Sequence, residues 1–167
     1  KPYRWARLDP AIQFVTTARR TVTADTISSA TITLAATIAT SQAGAKFYLT
    51  ADAIPHRITS HTAGSATLTL VTAYAGTSAS GAGFIFQDEV TVATDILAFP
   101  VIQEQHPNAG EFHLISEDEF RNRFHRNVRD HDTVGHRYGC FITMSKLRIG
   151  PHPTAARLFE CAYNYRP

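Results

Sequence analysis

Charge is scarce over the first half of this sequence: between Thr26 and Gln87 the only charged side chains are Lys46, Asp52 and Arg57. Over all 167 residues, 16 basic side chains stand against 14 acidic ones. That balance leaves no dense basic patch to neutralise a run of phosphates, so sequence-specific binding of nucleic acid is not expected. Long apolar runs are also missing. None approaches the ~20 residues that a helix needs to cross a bilayer, and the opening Lys-Pro-Tyr-Arg-Trp-Ala-Arg-Leu lacks the apolar centre of a secretory leader. No membrane partner is expected. A chain that begins with Lys and stops directly after a strand reads as part of something longer. Cysteine is nearly absent. Cys140 and Cys161 are too few for a disulfide framework. With a turn near Gly150 to Thr154 they would lie opposite each other on the two strands of a hairpin, as buried thiols or, alternatively, as a bridge.

The signatures of catalysis are missing as well. There is no Gly-x-Ser-x-Gly, no P-loop and no Gly-x-Gly-x-x-Gly, and Ser80-Gly81-Ala82-Gly83 lacks the strand-to-helix context of a phosphate cradle. Histidine is plentiful, and His125, His131 and His136 share a polar stretch with Asp130 and Asp132. Yet no His-Glu-x-x-His or paired Cys-x-x-Cys occurs, and Arg126, Arg129 and Arg137 interleave with those histidines, which disfavours a cation. The expectation is a protein with no catalytic residue, cofactor or metal.

What is present is best organised in the last third. Ser116-Glu-Asp-Glu119 places a hydroxyl at a helix N-cap and a carboxylate three residues on, the reciprocal arrangement of a capping box. Ile115 and Phe120 form the accompanying staple, and Phe120, Phe124 and Val128 make one apolar stripe. Acids at the start, Glu117 to Glu119, and Arg126 and Arg129 at the end match the helix dipole, predicting a helix over about 116–128. Tyr138 to Ile149 then reads as a strand, Gly150-Pro151-His152-Pro153 as a turn, and Ala155 to Tyr165 as a second strand, together a hairpin over about 138–165.

Earlier in the chain, Trp5 sits between Arg4 and Arg7 as a packed anchor, Pro10 turns Asp9 away from helix, and Ile12 to Thr16 is strand-like. From Thr21 to Gln87, Thr, Ser, Ala and Gly dominate. Ala30-Thr-Ile-Thr-Leu34 and Ala66-Thr-Leu-Thr-Leu70 alternate apolar residues with threonines, the period of a strand with one buried face. Short strands at this spacing predict a small antiparallel barrel or sandwich. The fold class expected is α+β, mostly β. An insert lobe over 21–87 is set into a core lobe over 1–20 and 88–167, with the insert's ends close together.

Four groups of residues carry a family resemblance. They are Trp5-x-Arg7-Leu8, followed by a strand ending in threonines; the insert with Ile58 to Leu70, Ala73 to Gly81 and Phe86-Gln-Asp-Glu89; Leu114-Ile-Ser116 with Glu119-Phe120; and the ending Leu147-x-Ile149-Gly-Pro151-His-Pro153 with Ala162-Tyr163-x-Tyr165-Arg-Pro167. This order resembles the head-to-tail adaptor, or neck, proteins of tailed bacteriophages. It departs from them at Val92-Ala-Thr-Asp95, where only the aspartate of a Leu-Pro-x-Asp motif is kept, and in lacking terminal channel-lining helices. The resemblance implies a structural virion protein of the neck, assembled in the cytoplasm of the bacterial host. Its partners would be copies of itself in a dodecameric ring, the portal protein above, and tail tube, nozzle or fibre proteins below. DNA would pass through the lumen without sequence-specific contact. Trp5, Ser116, Glu119, Phe120, Phe124, Pro151, Pro153, Tyr163 and Tyr165 are the expected structural and interaction residues. A different reading is a carbohydrate- or receptor-binding module of a tail fibre, for which Tyr48, Tyr74 and Phe84 are the candidate aromatics.

Overall fold

A computed structural model describes residues 9–52, 54–92, 101–105, 110–124, 136–143, 146–152 and 155–163, the side chains of 9–12, 101, 162 and 163 excepted. In chain order the elements are β1 (Asp9–Thr16), β2 (Arg20–Ser28), β3 (Thr31–Ile38), β4 (Lys46–Leu49), β5 (His56–Ser60), β6 (Ser65–Leu70), β7 (Gly81–Phe86), β8 (Glu89–Thr91), β9 (Val101–Glu104) and β10 (Phe112–Leu114). Helix α1 (Glu117–Phe124) follows, then β11 (Arg137–Thr143), β12 (Lys146–Gly150) and β13 (Arg157–Tyr163). The protein is α+β and mostly β.

Strands β2-β3-β6-β5-β4-β7 close into an antiparallel barrel. The alternation read from the sequence sets its faces: Ile32, Leu34, Leu68 and Leu70 point inward, and Thr31, Thr33 and Thr67 outward. Phe47, Leu49, Ile58 and Ile85 complete the filling. Closure depends on the β4–β7 seam, where Leu49 faces Gly83. A Cβ on Gly83 would come within 2.5 Å of the Tyr48 carbonyl oxygen, so only glycine allows that approach. Arg20 pairs with Ile85, and the chain therefore enters and leaves the barrel side by side.

The rest is two open sheets, β1-β13-β9 and β10-β11-β12-β8. They share a core in which Phe14 stacks on Phe159 at 5.2 Å and Phe112 meets Phe159 edge-on at 5.9 Å. A buried ion pair ties them: Arg137 Nε donates to Glu104 Oε2 at 3.1 Å, Arg137 Nη1 donates to the Pro151 carbonyl at 3.1 Å, and Arg157 Nε lies 3.4 Å from Glu104 Oε1.

Three expectations are corrected here. The run from Tyr138 to Ile149 is two strands, because Thr143 and Lys146 are cross-strand partners and the chain reverses between them without a glycine or proline. The last strand, β13, then joins β1 and β9 in the other sheet, so no hairpin spans 138–165. As a consequence Cys140 faces Arg148 while Cys161 faces Ile12 and Ile102. They are not opposed, and both are buried thiols. Burial pushes each thiol up to about 11.

The helix begins where its cap predicts, with Ser116 Oγ accepting the Glu119 N–H at 3.2 Å. The capping box is only half made, since the Glu119 carboxylate pairs with Arg123 at 2.8 Å, one turn along. The expected end of the helix, with Arg126, Val128 and Arg129, lies outside the described residues.

Candidate functional site at the junction of barrel and open sheets

The chain leaves the barrel at Phe86 and enters β8 at Glu89, with two residues between, and charge concentrates at this crossing. Lys46 from β4 meets Asp88, Arg148 Nη2 from β12 donates to Glu89 Oε1 at 2.7 Å, and Arg57 Nη2 from β5 stands 3.7 Å from Glu89 Oε2. Arg148 Nε also faces Asp88 Oδ2 at 3.6 Å. The scarcity of charge in the barrel is informative here, because two of its few charged side chains, Lys46 and Arg57, are spent on this latch.

Electrostatics at the latch follow from that pairing. Burial alone would raise the Glu89 carboxyl, but the Arg148 hydrogen bond and charge, with Arg57 and Lys46 behind it, hold it below its ordinary range. Burial likewise opposes the charge on Arg148, and Glu89 and Asp88 outweigh it, keeping the guanidinium charged. Two acids thus pair with three bases, and the latch carries a net charge of one positive unit.

Beside the latch is a pocket of about 60 Å³, room for a few waters or one small side chain. Its apolar wall is Phe86, Phe120, Phe124, Ile149 and Pro151. The rings of Phe120 and Phe124 lie 4.7 Å apart, and a Cβ on Gly150 would meet both at 3.0 Å. Across the seam Phe86 packs on the His152 ring at 5.3 Å, and His152 Nε2 sits 2.8 Å from the Gln87 carbonyl.

The structure therefore brings three of the sequence-predicted residues, Phe120, Phe124 and Pro151, to one place. Ser116 and Glu119 act at the helix start. Trp5, Pro153 and Tyr165 lie outside the described residues, and of Tyr163 only the strand position opposite Asp9 is described. Sequence reasoning missed Lys46, Asp88, Glu89 and Arg148. The signal for them was the isolation of Lys46 and Arg57 in an uncharged stretch.

Of the candidate sugar-binding aromatics, Tyr48 and Phe84 pack together at 5.3 Å and Tyr74 stands apart from them in the loop before β7. Tyr48 is buried, Phe84 carries the Arg19 guanidinium 4.0 Å over its ring, and Tyr74 donates from its hydroxyl to Asp52 Oδ2 at 2.6 Å. The Tyr74–Asp52 bond anchors the loop before β7, with the Ser78 N–H also donating to Asp52 at 3.2 Å. Comparison with protein-family models, with curated proteins and with solved structures gives no match.

Proposed function

We propose that this chain is a structural subunit of a tailed-bacteriophage neck, a head-to-tail adaptor that forms a ring between portal and tail around the DNA channel. One observation carries the reading beyond the family resemblance. The β1-β13-β9 sheet ends in two strands with no further neighbour among the described residues, and on it Val15 and Leu158, cross-strand partners, stay 59% and 37% exposed. An apolar pair on an open sheet is a surface that a protein neighbour covers. In a ring that neighbour is a second copy presenting a different face, because head-to-tail contacts are heterologous.

The junction supports the same reading. Lys46 and Arg57 of the barrel pair with Asp88 and Glu89, and Arg148 of the open sheet holds the same two acids, so the junction acts as a latch between barrel and sheets. A subunit that transmits load between portal and tail needs such a latch. The test is electron-microscopy class averaging of the full-length protein mixed with its cognate portal, with Val15→Asp alongside. Added ring density on the tail-side face of the portal, lost with Val15→Asp, is the expected result. A bare portal beside monomers of the unsubstituted chain overturns the proposal.

A further inference from the structure

Strands β10 and β11 run parallel, with His113 beside Tyr138, and the Arg137 N–H donates to the Glu111 carbonyl at 3.0 Å. Parallel neighbours need a crossover, and α1 lies within it. Because side chains alternate along a strand, Glu111 and His113 share one face, while Phe112 turns inward onto Phe159. On the same outer side, just before β11, stands His136.

The result is a three-residue cluster. His113 Nε2 lies 3.3 Å from His136 Nδ1 and 3.5 Å from Glu111 Oε2, and the ligand atoms of all three fall within 4.8 Å of one another. An ion bound tetrahedrally at ordinary zinc–nitrogen and zinc–oxygen bond lengths sets its ligand atoms about 3.3 to 3.5 Å apart. Two edges of such a tetrahedron are already formed. The third needs only a rotation of the Glu111 side chain, which is 78% exposed.

The surroundings suit a cation. Arg137, which interleaves with the histidines in sequence, sends its side chain the opposite way to Glu104; Arg123 lies 4.7 Å over the ring of Tyr138, with its charge paired to Glu119. Tyr138 stacks on His113 at 5.3 Å and fixes the plane of its ring. Two imidazoles with one carboxylate, and no thiolate, is a donor set for a divalent first-row ion such as Zn²⁺, with a fourth position left to water.

We propose that Glu111, His113 and His136 bind one Zn²⁺, which clamps the starts of β10 and β11 to each other. Such a site runs against the sequence-based expectation of no metal. The proposal is independent of the adaptor reading.

The test uses the full-length untagged chain, stripped with chelator and titrated with Zn²⁺ alone by calorimetry. Co²⁺ serves as a spectroscopic substitute. Binding of one ion per chain is expected, with a rise in melting temperature on adding Zn²⁺ and a tetrahedral Co²⁺ absorption band. His136→Ala should weaken binding by tenfold or more and remove the band, and Glu111→Gln should weaken it less. Both positions are exposed, so the metal-free variants should melt where the unsubstituted metal-free chain does. Absence of binding shows that the trio is only hydrogen-bonded and overturns the proposal. Binding that survives His136→Ala and Glu111→Gln together places the ion on other histidines and also overturns it.

Discussion

The barrel and the two open sheets solve the same problem of holding short strands together by different means. In the barrel every strand has two neighbours, the interior is one continuous apolar cluster, and no ion pair is buried within it among the described residues. The open sheets have edges and a smaller apolar cluster, and they are joined through Arg137, Glu104 and Arg157. A closed surface can rely on burial alone, whereas sheets that end in open edges need directional ties to fix how they sit on each other. That contrast is open to measurement.

The largest effect is expected in the barrel. Phe47 is fully buried at its centre, and Phe47→Ala should cost about 3–5 kcal/mol through lost transfer energy and the cavity left behind. Its urea midpoint should fall with the slope unchanged. A loss under about 1 kcal/mol would mean that the interior collapses onto the gap and that hydrogen-bonded closure, not packing, holds the barrel.

Next is the ionic tie. Glu104→Gln leaves Arg137, whose side chain is 4% exposed, buried without its counter-charge, and should cost about 3 kcal/mol. Replacing both, Glu104→Gln with Arg137→Met, removes the more deeply buried of the two cations that Glu104 faces and leaves only the more exposed Arg157, so it should recover part of that loss, since apolar substitutes for a buried pair are often tolerated. If the double variant is as unstable as the single one, the loss lies in the bond from Arg137 to the Pro151 carbonyl within its own sheet, and charge pairing with Glu104 is not what joins the sheets.

Acid should then separate the barrel's rim from its interior. His56 accepts the Ala75 N–H at Nε2, and burial pulls its pKa down, so it is held neutral. The hydrogen bond from Tyr74, against a smaller cost of burial, holds the Asp52 carboxyl low, and Glu89 is held low by Arg148 despite its burial. All three folded-state values are depressed. Their stabilisation is therefore complete above the unfolded pKa and lost as pH falls through the folded one. Stability should decline first below about pH 6.5 as His56 is forced to protonate, and again below about pH 4.5 as the carboxylates follow. Amide exchange should show the 74–81 loop opening before β3 and β6. Uniform opening of loop and strands would show that rim and interior are one cooperative unit.

How much of this was legible depends on the distance between partners. The barrel strands were readable because the alternation at Ile32 and Leu34, and at Leu68 and Leu70, is local. Closure was not, because it rests on Leu49 meeting Gly83 from a remote strand. The false hairpin arose at Thr143 to Lys146, where a tight reversal carries no glycine or proline to mark it. The tie between Glu104 and Arg137 and the cluster of Glu111, His113 and His136 were invisible for a related reason. Each joins residues from different elements, and no period or motif within one segment encodes a pairing between two. Phe120, Phe124 and Pro151 were found, but that the two rings pack against Gly150 and Pro151 was not, because the segment Gly150 to Pro153 reads locally as a turn.

The smallest effect expected belongs to the feature best announced in the sequence. Ser116 Oγ accepts the Glu119 N–H, and Ser116→Ala should cost on the order of 1 kcal/mol through that one unsatisfied donor. The capping box would make Glu119→Ala comparably costly, but the Glu119 carboxylate is turned to Arg123, an exposed pair of little worth. Glu119→Ala should therefore move the melting temperature less than Ser116→Ala, and Arg123→Ala should reproduce whatever Glu119→Ala does. Equal losses at Ser116 and Glu119 would show the full box in solution, with the carboxylate reaching back to the cap rather than forward along the helix.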